Sequence, residues 1–158
     1  MATLRGFAHH DHTHCIADCV AVVETACAEA GLRLTDQRRR VLEILLRDHR
    51  ALGAYQILEE LRRDGLAAQP PVAYRALDFL VGHGFAHKVE RLNAFVACTH
   101  PGDDHAPVFL ICRLCRTVAE APAGSAAGAV DAVVQSTGFA VETATIEAVG
   151  LCPDCAAA

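Results

Sequence analysis

Two pairs of cysteines frame the C-terminal part of the chain, Cys112 with Cys115 and Cys152 with Cys155. Two residues separate the thiols of each pair, a spacing that lets both thiolates reach one ion. Four thiolates around one centre are the donor set of a closed, structural zinc site. The 36 residues between the pairs leave room for a small α/β unit. The spacing therefore predicts a zinc that fastens the two ends of a small domain, with disulfides or four separate buried thiols as the alternatives.

The chain has 158 residues, of which 53% are apolar, so it can form one ordinary domain or two small ones with a core. No apolar stretch approaches the length of a membrane span, and the N-terminus lacks a secretion signal. Eight cysteines without export indicate a reducing compartment, in which thiols bind metals rather than pair. We therefore expect a cytoplasmic protein that is not in a membrane.

Charge is distributed unevenly around the net value of −5. Residues 31–91 carry eleven basic and eight acidic side chains, whereas residues 92–158 carry two basic and seven acidic ones. A basic middle part flanked by acidic parts suits a surface that faces phosphates. Ordinary solvated helix surfaces explain the charge equally well.

The order of elements in the first two thirds of the chain is specific. Apolar spacing, capping residues and turn residues predict four helices and then two short strands with a tight turn at residues 91–93. The predicted helices are Ile16 to Ala30, a helix after the N-cap Thr35, Ala54 to Arg63, and a helix from Pro70 to Gly82 or Gly84; the strands are Phe85 to Val89 and Ala94 to Cys98. Three core helices followed by a β-hairpin form the winged helix-turn-helix arrangement, whose last helix enters the DNA major groove.

The remaining sequence predicts a second domain. Residues 99–106 are polar, contain Pro and Gly, and are typical of a linker. After it we expect a strand at Val108 to Ile111, a strand through Val118, a helix around Ala126 to Ser136, and a long strand from Phe139 to Val149. The fold class is therefore α+β. The expected division is a His-rich segment 1–15, for which disorder is one interpretation, a winged-helix domain 16–98, a hinge 99–106, and a metal-binding α/β domain 107–158.

Several strings carry a resemblance to a known family. The stretch QPPVAYRALDFL at residues 69–80 resembles the recognition helix of the ferric uptake regulator family. The strings RLTDQR at 33–38, GFAHKVE at 84–90 and GLCPDC at 150–155 follow in the family's order. The resemblance covers nearly the whole chain from about Val20, and within the family the chain is most similar to the zinc uptake regulators.

That resemblance implies a metal-dependent transcriptional repressor, a homodimer on palindromic double-stranded DNA, with residues 107–158 as the dimerisation domain. It also implies a second, regulatory zinc between the domains, and so two zinc ions per monomer. The matching ligand positions are His87, Cys98, His105 and Glu120. Singly, each also fits a surface imidazole, a packed thiol or a solvated carboxylate, and His100 competes with His105. A thiolate in a four-coordinate site favours zinc over iron or manganese, which remain the alternative sensed metals.

Candidate DNA-contacting residues lie on the predicted third and fourth helices. Arg75 has the bidentate fit to guanine, and Tyr55 and Tyr74 match family positions that touch bases or backbone, with helix packing as their alternative role. Arg38, Arg39, Arg40, Lys88 and Arg91 are candidates for phosphate contacts. Glu59 and Arg62 match positions at which neighbouring dimers on DNA form ion pairs, although an ordinary helix-surface pair is equally plausible. Val72 departs from the Ser or Thr usual at the start of the recognition helix, and this puts the operator preference in doubt.

The N-terminus is rich in metal-binding side chains. Clustered imidazoles and thiols suit a third zinc site, a metal-collecting tail, or a segment with no role, and these three interpretations stay open. The cluster consists of His9, His10, His12, His14, Cys15 and Cys19. Cys15 and Cys19 share a helix face if the first helix begins early.

The four CxxC thiols form a closed set without a His-x-Glu before them, which argues against a zinc enzyme acting on a small-molecule substrate. A zinc-stabilised interaction module that binds no DNA is the other alternative.

Overall fold

The computed structural model describes residues 4–8, 12–66, 68–102, 105–122 and 124–158. The chain divides into two compact units, which we call the N-terminal unit (Ala8–Asp103) and the C-terminal unit (Met1–Phe7 with Asp104–Ala158). None of the described helices is long and apolar enough to cross a membrane.

The N-terminal unit consists of four helices and a hairpin. Its elements are α1 (His12–Glu29), α2 (Asp36–Leu46), α3 (Ala54–Arg63), α4 (Pro70–Gly82), β1 (Ala86–Val89) and β2 (Ala94–Ala97). The helix bounds agree with the sequence predictions except at α1, which begins at His12 and not at Ile16. The prediction began at the first apolar residue of the buried stripe, but a helix can continue beyond the residues that it buries.

Capping and apolar spacing account for these helices. The Thr35 side chain accepts a hydrogen bond from the backbone N–H of Arg38 at 3.4 Å, as expected of an N-cap. Pro70 opens α4, where its fixed φ suits the first turn and its missing N–H costs nothing. One apolar core joins the four helices, with side chains such as Leu42, Ile57, Leu77 and Leu80 fully buried.

The hairpin is an antiparallel pair in which His87 lies opposite Val96. The predicted tight turn is a short 3-10 turn at Glu90–Leu92, followed by Asn93 with a φ of 45°. Asparagine tolerates this left-handed conformation better than most residues. A hairpin after the helix α4 is the wing of a winged helix-turn-helix domain.

The C-terminal unit is a three-stranded sheet with two helices. Its elements are β3 (Val108–Cys112), β4 (Val118–Ala121), α5 (Gly124–Thr137), β5 (Ile146–Gly150) and α6 (Pro153–Ala157). The central strand β3 pairs antiparallel with β4 and parallel with β5. The predicted long strand from Phe139 to Val149 is wrong, because β3 offers five residues for pairing and β5 matches only those five.

A short N-terminal turn also belongs to the C-terminal unit. Arg5–Phe7 forms a 3-10 turn that packs against β4. Segment 1–15 was expected to be a separate His-rich segment, with disorder as one interpretation; within it, residues 5–7 form this turn and α1 begins at His12. The apolar Gly6 and Phe7 carried no periodic pattern from which this packing could be predicted.

Candidate metal centres and nucleic-acid interface

The four CxxC cysteines come together in the C-terminal unit. Their sulfur atoms all lie within 4.8 Å of one another, and the sulfurs of Cys115 and Cys152 are 3.6 Å apart. Cys112 and Cys152 are buried, whereas Cys115 and Cys155 are partly exposed. None of the eight cysteines is in a disulfide. The group fits the closed, four-thiolate set of a structural zinc site.

Two local structures position these thiols. In the first, Cys112 ends β3 and the chain turns back through Arg116, whose φ is 62° and whose N–H donates to the Cys112 carbonyl at 3.0 Å. In the second, Cys152 is the N-cap of α6, Pro153 opens the helix, and Cys155 follows within its first turn. Residues three apart at the start of a helix lie on the same side, so both thiols face one point.

Hydrogen bonds within and around the group change the pKa values of the four thiols. Backbone hydrogen bonds from Cys152 and Cys115 lower the pKa of Cys112 to about 6. Hydrogen bonds from Thr117 lower the pKa of Cys115, and the two side chains are 3.2 Å apart. The hydrogen bond to Cys152 raises the pKa of Cys155 to about 12. Without a cation the four thiols therefore do not all ionise near neutral pH, and zinc binding must displace protons. Thr117 was missed in the sequence, although it stands two residues after Cys115.

Two of the predicted regulatory ligands lie in the N-terminal unit. His87 is a partly buried residue of β1. Cys98 directly follows β2 and is only 2% exposed, with its N–H donating to the Phe85 carbonyl at 3.0 Å. The wing therefore carries an imidazole and a buried thiol that are fixed by its own backbone.

The other two predicted ligands lie in the C-terminal unit. His105 Nε2 is 2.6 Å from Glu120 Oε1, and the Glu120 side chain is only 3% exposed. Glu120 occupies β4, opposite Phe109 of β3. A buried carboxylate held against an imidazole is a pair of donors that suits a divalent cation.

His100, the competitor of His105, has different neighbours. Its Nδ1 is 3.0 Å from the Thr99 hydroxyl, and its backbone N–H donates to the Cys98 sulfur at 3.4 Å. The side chain is exposed. The His105 ring nitrogen lies next to a second predicted ligand, Glu120, whereas the contact of His100 with Cys98 is made by its backbone N–H.

The N-terminal cluster is only partly described. His9 and His10 lie outside the described residues, as does the side chain of His12, although the helix α1 begins there. Because α1 starts early, Cys15 and Cys19 are one turn apart on it. His14, Cys15 and Cys19 do not form a group of three donors within reach of one ion in the described part of the chain.

Three predicted DNA contacts form an exposed surface on α3 and α4. The side chains of Tyr55 and Tyr74 are 73% and 44% exposed, so neither packs in the core as the alternative required. They line an open groove of about 590 Å³ with Asp78, Lys88 and Phe95. Arg75 is exposed beside Tyr74 and makes no ion pair or side-chain hydrogen bond with any described residue. The surface therefore offers two aromatic rings and an available guanidinium.

The three consecutive arginines of α2 are engaged within the unit. Arg38 stacks over the Phe79 ring at 3.7 Å, and Arg39 pairs with Glu24. Arg40 bonds Asp64 at 2.7 Å and Glu43 at 2.6 Å. These contacts satisfy the guanidinium groups inside the protein, which weakens the candidacy of all three for phosphate binding.

Glu59 and Arg62 face each other on α3, with Arg62 Nη1 3.9 Å from Glu59 Oε2 and both side chains about half exposed. This is an exposed helix-surface pair within one chain.

Val72 lies in the first turn of α4, where its side chain is half-buried and offers no hydroxyl. The Gln69 side chain makes no cap hydrogen bond there either.

Comparison with known proteins decides the family. The model of the ferric uptake regulator family matches residues 29–149. The chain belongs to this family. It is also 39% identical to the zinc uptake regulation protein of Escherichia coli (strain K12) over 140 residues, which are 87% of this chain and 81% of that protein. The family consists of regulators of transcription.

Two solved structures of the family match with high similarity. A zinc uptake regulator in complex with zinc and DNA superposes with a TM-score of 0.86 at 37% identity, covering 90% of this chain and 95% of that chain. The zinc-bound form of XcZur superposes with a TM-score of 0.82 at 42% identity, covering 89% and 99%. These matches confirm the predicted fold class, a winged helix-turn-helix domain followed by a small α/β domain with a four-cysteine cluster.

Proposed function

We propose that this protein is a zinc-responsive transcriptional repressor that acts in the cytoplasm on palindromic operators of zinc-uptake genes. The observation that carries the proposal is the similarity, over nine tenths of the chain, to a regulator solved with zinc and DNA. The chain combines a winged helix-turn-helix unit with two sets of metal-binding residues, as such a regulator requires. The four-cysteine zinc would maintain the fold, and a second zinc would report the zinc level, which makes two per monomer.

The proposed structural zinc is held by Cys112, Cys115, Cys152 and Cys155. Its support is the closed group of four sulfurs and the hydrogen bonds that lower the pKa of two of them. When bound, the metal links β3 to α6, which are far apart in sequence. A structural site of this kind contributes its binding free energy to folding, so it should remain filled at any zinc level that the cell reaches.

The proposed regulatory zinc takes its ligands from both units, His87 and Cys98 from one, and His105 and Glu120 from the other. Support comes from the donor chemistry, because one thiolate, two imidazoles and a carboxylate supply four ligands of the types that zinc accepts. The His105–Glu120 pair favours His105 over His100. A shared ion would restrict the arrangement of the two units and raise the fraction of molecules that can bind DNA.

We propose that α4 enters the major groove and that Arg75 reads a guanine there. Tyr74 and Tyr55 would contact bases or backbone from the same exposed surface. Glu59 and Arg62 would pair with the corresponding residues of a second dimer, if two dimers bind one operator. The exposed positions of all five residues support this assignment.

The protein is proposed to act as a homodimer through the C-terminal unit. Large apolar side chains stand exposed on this unit, and exposed patches of this kind mark protein interfaces. They are Leu114, Val133, Phe139, Val141, Val149 and Leu151. We expect Val133→Glu to shift the protein from dimer to monomer in analytical ultracentrifugation, whereas Val22→Glu, at another exposed apolar position, on α1, should leave the dimer intact.

The experiment that tests the function measures binding of the full-length protein to a palindromic duplex of the family type by fluorescence anisotropy, at a series of buffered free-zinc levels. We expect two zinc ions per monomer at saturation, with the second one required for tight binding. Binding that is independent of zinc would contradict the proposal, as would binding restored equally well by iron or manganese. Failure to bind any duplex would leave a zinc-stabilised interaction module.

Matched variants assign the residues. His105→Ala should shift the zinc dependence of DNA binding to higher free zinc, whereas His100→Ala should leave it near that of the wild type. Arg75→Ala should weaken operator binding by about 1–3 kcal/mol while both zinc ions stay bound. Arg75→Lys keeps the charge but loses the bidentate geometry, so it should recover affinity for DNA in general more than preference for the operator.

A further inference from the structure

The N-terminal residues Leu4–Phe7, which we call the clasp, pack on the C-terminal unit beside its cysteine cluster. The clasp is a 3-10 turn in which the Phe7 N–H donates to the Leu4 carbonyl at 2.9 Å. Gly6 is buried at its centre. The clasp is therefore an ordered part of the unit that holds the proposed structural zinc, although about a hundred residues separate it from that unit in sequence.

Gly6 is in close contact with β4. A methyl group added at Gly6 would lie 2.6 Å from Ala119 Cα, 2.6 Å from the Val118 carbonyl oxygen and 2.8 Å from Ala119 Cβ. Two of these three atoms belong to backbone, which cannot move aside as a flexible side chain can. Only glycine fits this position without displacing the clasp from the strand.

Phe7 stands next to the cysteines. Together with Cys112 and Cys152 it lines a cavity of about 170 Å³ that is otherwise bounded by residues of β3 and by residues 148–151. The cavity wall is formed mainly by apolar groups, among them Leu110, Ile111, Val149 and Leu151. Among the described residues that line it, Phe7 is the one from outside residues 110–152. The clasp thus contributes an aromatic residue to the wall of a cavity that two of the four cysteines also line.

We propose that the clasp shields the four-cysteine zinc from competing ligands, with Gly6 seating the turn and Phe7 covering the cavity beside Cys112 and Cys152. Removal of zinc from a closed site requires an incoming ligand to reach the metal or a thiolate. The apolar shell around a metal controls that access and thereby the exchange rate. Phe7 and Gly6 are positioning residues and not ligands, and the inference rests on the proposed structural zinc.

The test follows zinc release from the zinc-loaded, full-length protein to excess 4-(2-pyridylazo)resorcinol. A Cys98→Ser background removes a ligand of the proposed regulatory site, so that the slow release reports the four-cysteine site. Phe7→Ala should accelerate the slow release by about tenfold. Phe7→Leu, which keeps an apolar cover, should stay near the background rate. The control is Ile146→Ala, which truncates a partly buried apolar side chain of β5 in the same unit at a position that does not line the cavity.

Gly6→Ala tests the seat of the clasp independently. It should accelerate zinc release and also the hydrogen exchange of the Val118 and Ala119 amides, because the displaced turn no longer covers β4. Gly82→Ala is the matched control, since an added methyl group meets nothing within 4 Å there. Both measurements are made in the Cys98→Ser background, on protein whose zinc content equals that of the background itself.

Two results would overturn the inference. One is an unchanged release rate in both Phe7→Ala and Gly6→Ala. The other is an equal acceleration in Phe7→Ala and Ile146→Ala, which would indicate general loosening of the unit. If the proposed four-cysteine zinc site itself is wrong, the result is distinguishable. The Cys98→Ser protein with an unchanged clasp would then release no zinc slowly.

Discussion

In the N-terminal unit four helices bury one continuous apolar core, whereas in the C-terminal unit a three-stranded sheet buries far fewer side chains. Leu42, Ile44, Leu77 and Leu80 are each at most 1% exposed in the first unit. Among the described residues of the C-terminal unit, Phe109 is the one large side chain that is fully buried. A unit of about 60 residues is marginal when apolar burial alone stabilises it, and a bound metal commonly supplies the difference. We therefore expect apolar burial to stabilise the N-terminal unit and bound zinc to stabilise the C-terminal unit.

The charges differ in the same way. The N-terminal unit has many arginines, and several of them form ion pairs with carboxylates on neighbouring helices, such as Arg40 with Asp64. Residues 92–158 contain only two arginines and no lysine against seven acidic residues. Some arginines of the N-terminal unit, above all Arg75, remain available for other contacts. The N-terminal unit, and not the C-terminal unit, therefore has the guanidinium groups that can bind phosphates and bases.

The largest expected effect comes from removing one zinc ligand. Cys112→Ser should abolish the four-cysteine site and unfold the C-terminal unit, because structural zinc contributes about 10–16 kcal/mol of apparent binding free energy in small zinc domains. The helical N-terminal unit should stay folded. Zinc content by elemental analysis, together with two-dimensional amide spectra, checks both halves of this expectation.

Cys15→Ser is the matched control for this change, since it replaces a partly exposed thiol of α1 that does not belong to the four-cysteine group. It should leave the zinc content and the spectrum of the C-terminal unit unchanged. If Cys112→Ser instead unfolds both units together, the two units are not stabilised independently by zinc and by apolar burial, and this expectation is wrong.

A core truncation tests the other unit. Leu77→Ala should lower the free energy of unfolding of the N-terminal unit by about 2–5 kcal/mol, because Leu77 is fully buried on α4 and its truncation leaves a cavity. The four-cysteine zinc should stay bound with unchanged release kinetics. Thermal unfolding followed by circular dichroism measures the loss, and Val81→Ala, at an exposed position of the same helix, should cost far less. Loss of zinc from the Leu77→Ala protein would show that the units depend on each other.

The sequence was sufficient for the parts of the molecule that depend on local patterns. The bounds of α3 were predicted from Ala54 to Arg63, because the apolar spacing and Gly65 define both ends. The four-cysteine group was predicted because two residues between thiols fix how each pair can reach a common ion. The caps at Thr35 and Pro70 are likewise properties of a few adjacent residues.

Features that depend on distant partners were not predictable in this way. The length of β5 is set by β3, so the apolar run from Phe139 could not indicate where pairing begins. The clasp depends on the space above Ala119, which no pattern around Gly6 reveals. The pairing of His105 with Glu120 came from the family resemblance and not from spacing, since fifteen positions separate the two residues.

The smallest expected effect concerns the ion pairs of the N-terminal unit. The hydrogen bond from Arg40 lowers the pKa of Asp64 below its ordinary value. A carboxyl whose pKa is lower in the folded state stabilises the fold above its ordinary pKa and loses that contribution as the pH falls through the folded pKa. Asp64→Asn should therefore lower the melting temperature slightly at pH 7, less than Leu77→Ala does, and the difference from the wild type should shrink in acid. Glu59→Gln is the control, because its contact with Arg62 is longer, at 3.9 Å, and more exposed. A loss for Asp64→Asn that is constant from pH 7 into acid would show that Asp64 acts through packing and not through its charge.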